Sequence, residues 1–190
     1  KERDILLVND NPYSFVLTKK PKSILSRPGA SEVSVELNSL SKSFNMAGWR
    51  VGMLVGSYDH VNAVLRVKSN MDSGMFYGIQ KGAIEALKLE KTWFKEQNVI
   101  YQKRRKLTFE LAKKLGCTYD ENSVGLFVWA KLPKGIQSEE VTDDLLYNKN
   151  VFITPGTIFG SNGEGYLRAS LCVSEEALEE VLNRIITVKI

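Results

Sequence analysis

The order of apolar and polar residues predicts that strands come first in this chain. Short apolar runs bounded by turn residues predict strands at Ile5 to Val8, Val33 to Leu37 and Val51 to Val55. The first run is continuously apolar, which predicts a buried strand, and it leads into the turn-rich sequence Asn9 to Pro12. This part of the chain therefore predicts a small sheet.

Helical periodicity dominates the middle of the chain. Apolar residues recur at helical spacing over Tyr58 to Lys68, over Gln80 to Leu89 and over roughly Trp93 to Leu115. Gly116 predicts the end of the third helix, because glycine favours the backbone conformation that terminates helices. We expect this longest helix to connect the first part of the chain to a second unit.

The last third alternates strands and helices, which predicts an α+β unit. Its predicted strands are Val124 to Leu132, Val151 to Thr154 and Tyr166 to Leu171. One helix is predicted over Ser138 to Asn148, with Ser138 as its N-cap and Glu139 and Glu140 in its first turn. A final helix is predicted to begin at Ser174, with Glu175 and Glu176 in its first turn.

Composition and charge limit the classes of function. The chain has 190 residues, of which 43% are hydrophobic and 25% charged, as is typical of globular proteins. Its longest apolar runs are far too short to span a bilayer, and its N-terminus has no signal-peptide pattern. We therefore expect a cytoplasmic protein that does not contact membranes.

Metal sites and histidine-based catalysis are not indicated. Cys117 and Cys172 are the two cysteines, they form no CxxC motif, and we expect both to be small core residues. His60 is the single histidine, on a predicted surface helix with no nucleophile motif nearby. Catalytic triads and histidine metal sites are therefore disfavoured, and no metal is expected.

Two sequences suggest anion or nucleic-acid binding but favour simpler interpretations. GSNGEG at residues 160 to 165 looks like a phosphate loop, yet a strand follows it instead of the helix N-terminus that such loops need. We interpret it as a turn. KRRK at residues 103 to 106 and the net charge of +4 could favour nucleic acid, but no aromatic residues interrupt this helical run. A solvated basic face is the better interpretation, and no nucleic-acid partner is expected.

Lys42 is the strongest chemical candidate, because it lies where the second predicted strand ends. A lysine that attacks a carbonyl carbon must be available as the neutral amine, which requires burial or nearby positive charge. Asp10 follows another predicted strand, with Tyr13 three residues later, and two strand ends can meet at one edge of a sheet. Arg50 and Ser39 carry groups that suit phosphate oxygens.

Pyridoxal phosphate is the cofactor that requires this combination. It needs a lysine for a Schiff base, a carboxylate at the pyridine nitrogen and a hydrogen-bond donor at the ring oxygen. Its phosphate requires an arginine and hydroxyl groups. The alternative is that Lys42 is a surface turn residue and Asp10 an ordinary turn former, and spacing alone leaves both interpretations open.

Four motifs together carry a family resemblance. They are NDNPY at 9 to 13, SLSKSFNMAGWRVG at 39 to 52, PGTIFG at 155 to 160 and YLRASL at 166 to 171. With these motifs the chain resembles the class I/II aminotransferases, which are pyridoxal phosphate enzymes of fold type I. The resemblance covers essentially the whole chain, and the lysine motif is its most specific part.

The resemblance implies a role for each matching residue near the cofactor. Lys42 matches the Schiff-base lysine, which also moves the proton between the substrate carbon and the cofactor carbon. Asp10 matches the aspartate that pairs with the pyridinium nitrogen, and Tyr13 matches the tyrosine that hydrogen-bonds the ring oxygen. Ser39 and Arg50 match the phosphate ligands.

Further matches concern the substrate and a partner subunit. Arg168 matches the arginine that binds the substrate α-carboxylate through a bidentate pair. Ser73 and Gly74 fall where the family reaches across a dimer interface toward the partner's phosphate. We expect Tyr166 and Phe127 to be packing residues.

The resemblance also implies a domain organisation. Residues 1–93 match the C-terminal part of the large pyridoxal phosphate domain, an α/β unit with a mixed, mostly parallel sheet, and residues 94–190 match the small α+β C-terminal domain. The family's phosphate-cupping helix start, its ring-stacking aromatic residue and its asparagine loop are missing, and Ile5 begins a strand-like run almost at once. We therefore expect the C-terminal half of a homodimeric enzyme, inactive on its own.

Three functions fit the resemblance. The first is an aminotransferase that transfers an amino group between an amino acid and a 2-oxo acid. The second is a pyridoxal phosphate-dependent C–S (β) lyase of the same fold, which expels a substituent from the β-carbon. The third is the aminotransferase-like module of a transcription regulator, behind a DNA-binding domain. The side chain of the substrate is not predicted.

Overall fold

Residues 2–185 are described by a computed structural model, in which strands and helices alternate. The chain divides into a first unit, Lys1–Lys95, and a second unit, Glu96–Ile190. Each unit contains one sheet with its own helices, so the α/β class expected from the sequence is present.

The first unit is built on a three-stranded sheet. Its strands are β1 (Leu7–Asp10), β2 (Ser34–Ser39) and β3 (Gly52–Gly56), in the order β1-β2-β3. β1 is parallel to β2, whereas β3 is antiparallel to it. The sheet is therefore mixed as predicted, but with one parallel and one antiparallel pair it is not mostly parallel within the described residues. The carboxyl ends of β1 and β2 share one edge with the amino end of β3.

The prediction of a buried first strand is wrong for this chain. β1 begins two residues later than predicted, and the side chains from Ile5 to Val8 are 47% to 59% exposed. β1 is the edge strand of the sheet, so its side chains remain accessible. A continuous apolar run is typical of a parallel strand that is covered on both faces, and that cover is not supplied within the first unit.

The first unit has three α-helices, of which the second and third correspond to predicted helices, whereas the first, a single turn, is not predicted from the sequence. They are α1 (Leu40–Ser43), α2 (Tyr58–Met71) and α3 (Tyr77–Leu87). The hydroxyl of Ser57 caps α2 by accepting a hydrogen bond from the backbone N–H of His60. Single 3-10 turns are formed by Ile24–Ser26, Ala30–Glu32 and Ala47–Trp49.

The second unit has an antiparallel four-stranded sheet. Its strands β4 (Thr118–Tyr119), β5 (Phe127–Lys131), β6 (Thr154–Pro155) and β7 (Tyr166–Ser170) have the order β4-β5-β7-β6. The remaining helices of the chain are α4 (Lys91–Lys114), α5 (Ser138–Lys149) and α6 (Glu175–Arg184). α4 ends as predicted, because Gly116 takes a left-handed conformation at φ 68° that few other residues adopt readily.

The core of the second unit lies against one face of its sheet. Val128 and Leu167 point into this core, where Leu111 and Leu115 from α4 are also buried. Because side chains alternate along a strand, Arg168 and its neighbour Trp129 on β5 project from the opposite face. That face carries the polar and aromatic residues considered below.

Ser138 is not the N-cap predicted from the sequence. It is the first residue of α5, and Gln137 occupies the capping position without a side-chain hydrogen bond. The Glu164 carboxylate accepts hydrogen bonds from the Ser138 N–H at 2.9 Å and from its hydroxyl at 3.1 Å. An acid distant in the sequence therefore accepts hydrogen bonds from the first residue of α5, and the local sequence could not show this. The first-turn acids Glu139 and Glu140 are as predicted.

Two further expectations are corrected in the second unit. Cys117 is buried as expected, but Cys172 is exposed. Within the basic run, Arg104 pairs with the Glu175 carboxylate at 3.1 Å, and Arg105 donates to a backbone carbonyl at 2.7 Å. These two arginines pack within the unit and do not form a solvated face. None of the helices in residues 2–185 combines the length and apolar content needed to cross a membrane.

Candidate active site

The candidate cofactor-binding residues of the first unit lie at one edge of its sheet. Asp10 is the last residue of β1, and Ser39 is the last residue of β2. Lys42 follows in α1, and Arg50 precedes the start of β3. Since the carboxyl ends of β1 and β2 and the amino end of β3 coincide, the sheet topology brings these four predicted residues to the same edge.

The lysine helix is anchored at its start. The Ser39 hydroxyl caps α1 by accepting from the Ser41 N–H at 3.1 Å, and it donates to the Val51 carbonyl at 3.4 Å. The N–H of Leu40, whose side chain is buried, donates to the same carbonyl at 3.1 Å. Lys42 therefore extends from a fixed turn of helix, half-buried.

The lysine helix is also joined to the loop that follows β1. The Ser43 hydroxyl, adjacent to Lys42, donates to the carbonyl of Pro12 at 3.2 Å. Pro12 lies between Asp10 and Tyr13 along the chain, so this bond links the segments that carry the amine, the carboxylate and the phenol. The contact is a single bond from a side chain to the backbone, and it ties α1 to the turn after β1.

Arg50 has an unusual backbone conformation for a residue with a side chain. Its φ of 55° and ψ of 43° lie in the left-handed region, where a non-glycine residue is strained by about 1–3 kcal/mol. Its Nη1 donates to the Ala47 carbonyl at 3.0 Å, and the side chain is exposed at the sheet edge. Such strain is concentrated at ligand sites, which supports a binding role for the guanidinium.

Arg168 lies near the middle of β7, between Trp129 of β5 and Thr154 of β6. Its guanidinium carbon is 4.3 Å from the ring centre of Phe127 and 4.0 Å from that of Phe159. Its Nε is buried and has no hydrogen-bond partner among the described residues. A buried donor without an acceptor costs about 1–3 kcal/mol, and an anion bound to this Nε would offset that cost.

Aromatic residues surround this arginine. Trp129 stacks on Tyr166 with ring centres 5.3 Å apart and meets Phe159 edge-on at 5.8 Å. The expected packing roles of Phe127 and Tyr166 agree with these ring contacts, although Phe127 packs on Arg168 itself. Sequence reasoning missed Phe159 as part of the site, and its place in the PGTIFG motif was the available signal.

Other candidates from the sequence lie elsewhere or have simpler partners. Ser73 and Gly74 are exposed in the segment between α2 and α3. His60 Nδ1 lies 2.9 Å from the Ser57 hydroxyl, a local contact at the start of α2. Within residues 2–185, no three His, Cys, Asp or Glu side chains come together as metal ligands.

The groups at the sheet edge of the first unit fit pyridoxal phosphate in their chemistry. They comprise a carboxylate on β1, a hydroxyl on β2 and an amine on α1, together with a phenol and a guanidinium on the connecting segments. Taken by itself, the second unit carries Arg168, whose Nε has no partner among the described residues and suits a carboxylate. The alternative interpretation of Lys42 as a surface turn residue is disfavoured, because Lys42 is half-buried in a capped helix.

Comparison with known proteins gives a consistent result. Residues 1–185 match the family described as Aminotransferase class I and II. The chain is 41% identical over 188 residues to the LL-diaminopimelate aminotransferase of Maridesulfovibrio salexigens, with 97% of this chain and 48% of the relative covered. It is 39% identical over 192 residues to the enzyme of the same name from Aquifex aeolicus, with 100% of this chain and 50% of the relative covered.

A solved structure shows the same relationship. The substrate-bound BacF structure from Bacillus subtilis superposes with a TM-score of 0.88 at 36% identity, covering 97% of this chain and 48% of that chain. The chain thus spans about half the length of the proteins that it matches. It belongs to the class I and II aminotransferase family, whose members depend on pyridoxal phosphate.

Proposed function

We propose that the whole protein is an aminotransferase that transfers an amino group between an amino acid and a 2-oxo acid. One observation carries this proposal: the topology of the first sheet gathers Asp10, Ser39, Lys42 and Arg50 at a single edge. The family match supports it. Because this chain spans about half of its relatives, the activity is assigned to the whole protein and not to the chain alone.

The residues at this edge would hold the cofactor. Lys42 would bind it covalently, Asp10 would face its pyridine nitrogen, and Tyr13 would donate to its ring oxygen. Ser39 and Arg50 would bind its phosphate. When bound, pyridoxal phosphate supplies an electron-withdrawing ring that weakens the bond between the substrate α-carbon and its hydrogen.

Two of these side chains act on protons and charge. The Lys42 amine, once released from its covalent bond to the cofactor, would accept the proton that leaves the substrate α-carbon and would donate it to the cofactor carbon. Hydrogen bonds of the Ser39 and Ser43 hydroxyls hold the turn of helix from which this amine extends. The negative charge of Asp10 keeps a proton on the pyridine nitrogen, because an adjacent carboxylate favours the charged form of a base.

Arg168 would bind the carboxylate that all amino acids and 2-oxo acids share. Stacking between Phe127 and Phe159 holds the guanidinium in place and excludes water from its Nε. A bidentate arginine–carboxylate pair fixes orientation as well as position. LL-diaminopimelate, which appears in the names of both relatives, is the first amino acid to test as the substrate.

The domain organisation and assembly are part of the same proposal. Residues 1–93 would be the end of the large cofactor-binding domain, and residues 94–190 the small C-terminal domain, an interpretation that the division into two units supports. We propose a cytoplasmic homodimer in which Ser73 and Gly74 reach toward the partner subunit's phosphate site. Their exposure supports this role.

A half-reaction screen of the whole protein tests the proposal. The purified protein, loaded with pyridoxal phosphate, is mixed with single amino acids while its visible absorbance is followed. We expect bleaching with formation of the matching 2-oxo acid, and Lys42→Ala should lower turnover by on the order of 10³-fold or more. Lys20→Ala, at an exposed lysine, is the matched control and should keep full activity.

The alternative functions give different results in the same screen. A C–S lyase would release ammonia and a thiol without needing an amino acceptor. A regulator module would bind the cofactor without turnover. Normal turnover in the Lys42→Ala variant would contradict the catalytic assignment outright.

A further inference from the structure

A buried carboxylate in the first unit has no part in the site described so far. Glu36 lies on β2 and is 6% exposed. Its oxygens accept four hydrogen bonds, from Ser23 Oγ at 2.7 Å, the Ile24 N–H at 2.9 Å, Asn9 Nδ2 at 3.1 Å and Asn11 Nδ2 at 3.2 Å. All four partners are donors, so the position requires an acceptor with several lone pairs.

Two of these donors lie on either side of Asp10. Asn9 pairs with Glu36 across the two strands, and the side chains of Asn9 and Asn11 both reach the Glu36 carboxylate. Because side chains alternate along a strand, Asp10 projects from the opposite face of the sheet. The Glu36 carboxylate thus hydrogen-bonds the residues before and after Asp10 on the face of the sheet opposite to the Asp10 side chain.

The other two donors come from the loop between β1 and β2. Ser23 and Ile24 begin the 3-10 turn of this loop, and Asn11 Nδ2 also donates to the Lys22 carbonyl at 2.9 Å. The Asn11 amide therefore uses both of its hydrogens. The end of β1 and the loop are joined through one side chain, that of Glu36.

The hydrogen bonds keep this acid ionised. Burial alone would raise the pKa of Glu36, but the bonds from Ser23, Asn9, Ile24 and Asn11 outweigh it and lower the pKa from its ordinary value of 4.5. Removing the carboxylate would leave four donors without their acceptor, each at a cost. The four donors match the roughly four acceptor sites of one carboxylate, and two of them flank Asp10 at the end of β1.

We propose that Glu36 is a positioning residue, which fixes the asparagines on both sides of Asp10 and thereby directs the Asp10 carboxylate. This inference rests on the proposed function, because Asp10 has its role only at the pyridine nitrogen. The backbone bond from the Asn11 N–H to the Leu37 carbonyl, at 2.8 Å, completes the support of this strand end.

Three variants separate positioning from general stability. Glu36→Ala removes the acceptor. Glu36→Gln keeps one carbonyl oxygen for Ser23, Ile24 and Asn9 but turns an amide donor toward Asn11, so its effects should be smaller than those of Glu36→Ala. Val35→Ala is the matched control, since Val35 is the preceding residue of β2 and is 3% exposed.

Two measurements are made on the whole protein. With the cofactor bound, the pH midpoint of its visible absorbance depends on the charge near the ring. Without the cofactor, the rate of hydrogen exchange at the Asn11 N–H measures how often the end of β1 opens. We expect Glu36→Ala to shift the midpoint by at least half a pH unit and to speed this exchange about tenfold, a local loosening worth about 1.4 kcal/mol. Val35→Ala should leave both the pH midpoint and the exchange rate unchanged, even where it lowers the free energy of unfolding as much as Glu36→Ala does.

The outcomes are distinguishable. Equal midpoints and exchange rates in Glu36→Ala and Val35→Ala would overturn the positioning role, whereas a wild-type protein without visible absorbance or half-reaction would overturn the proposed function instead. If Glu36→Ala does not fold, Asn9→Ala removes one of the two flanking bonds and should give a smaller shift in the same direction. A wild-type midpoint in Asn9→Ala would also contradict the inference.

Discussion

The two units bury their apolar residues to very different extents. Among the described residues, 17 of the 21 buried hydrophobic side chains lie in Glu96–Ile190, and only four lie in Lys1–Lys95. Those four are Val16, Val35, Leu40 and Ala86. The second unit thus has the apolar core of an ordinary domain, whereas the first unit lacks one of comparable size.

Among the contacts that hold each unit together, hydrogen bonds take a larger share in the first unit than in the second. The end of β1 is held by the four hydrogen bonds to Glu36, and the lysine helix is held by hydroxyl bonds at Ser39 and Ser43. The apolar side chains of β1 and α2 remain largely exposed. The predicted site residues of the first unit therefore lie among local hydrogen bonds, whereas Arg168 lies on a sheet that covers an apolar core.

The largest effect expected from this comparison is a core truncation. Leu145 in α5 is 0% exposed, and Leu65 in α2 is 55% exposed. Leu145→Ala should lower the free energy of unfolding by about 2–5 kcal/mol, because it removes buried methyl groups and leaves a cavity. Leu65→Ala, the same change on a helix of the first unit, should alter it by less than about 0.5 kcal/mol.

Urea unfolding of the chain, followed by circular dichroism, measures both variants. The pair is matched in residue type and helical setting, so helix propensity cancels. A loss of 2 kcal/mol or more in Leu65→Ala would contradict the difference between the two units, since it would show that α2 is covered by other residues in solution.

A smaller, pH-dependent effect tests the role of hydrogen bonds in the first unit. The folded state lowers the pKa of Glu36, so its stabilisation is fully present above 4.5 and is lost as the pH falls through the folded value. The stability difference between the wild-type chain and Glu36→Gln should be constant from pH 7 to about pH 5 and should shrink below that. The cost of Leu145→Ala should not change over the same range.

Urea unfolding at a series of pH values gives both differences. A cost of Glu36→Gln that stays constant down to pH 3 would show that the acid is not held ionised by its four donors. A strongly pH-dependent cost of Leu145→Ala would show that titrating groups, and not apolar burial, dominate the second unit.

Periodicity in the sequence predicted most of the elements, and the exceptions have physical causes. The helices at Tyr58, Trp93 and Ser174 were identified from apolar spacing and caps, within a few residues. The prediction that β1 is buried was wrong. A continuous apolar run indicates that a strand suits apolar neighbours on both faces, but it does not show that the first unit contains those neighbours. Ser138 was misassigned because its partner, Glu164, is distant in sequence.

The candidate site was predictable where residues follow strand ends. Asp10 and Lys42 could be placed at one edge because strand exits converge in a sheet, and β1 and β2 are indeed parallel neighbours. Arg50 lies near the same edge because it precedes the antiparallel strand β3. The stacking of Phe159 on Arg168 and the contacts of Asn9 with Glu36 could not be predicted. Both depend on the positions of side chains in neighbouring segments, which a periodic pattern does not encode.

The smallest effect concerns the two thiols of the second unit, and it tests whether its core is closed. Burial raises the pKa of Cys117 to about 11, so at pH 8 only about one thiol in a thousand is ionised and able to react. Cys172 is exposed. A thiol reagent at pH 8 should therefore modify one cysteine per folded chain and two in urea, with Cys172→Ser reducing the folded count to zero.

Rapid modification of both thiols in the folded chain would mean that the core around Cys117 opens on the timescale of the reaction. The contrast between the two units would then be one of degree, because the second unit would also admit solvent to residues that its sheet and α4 enclose.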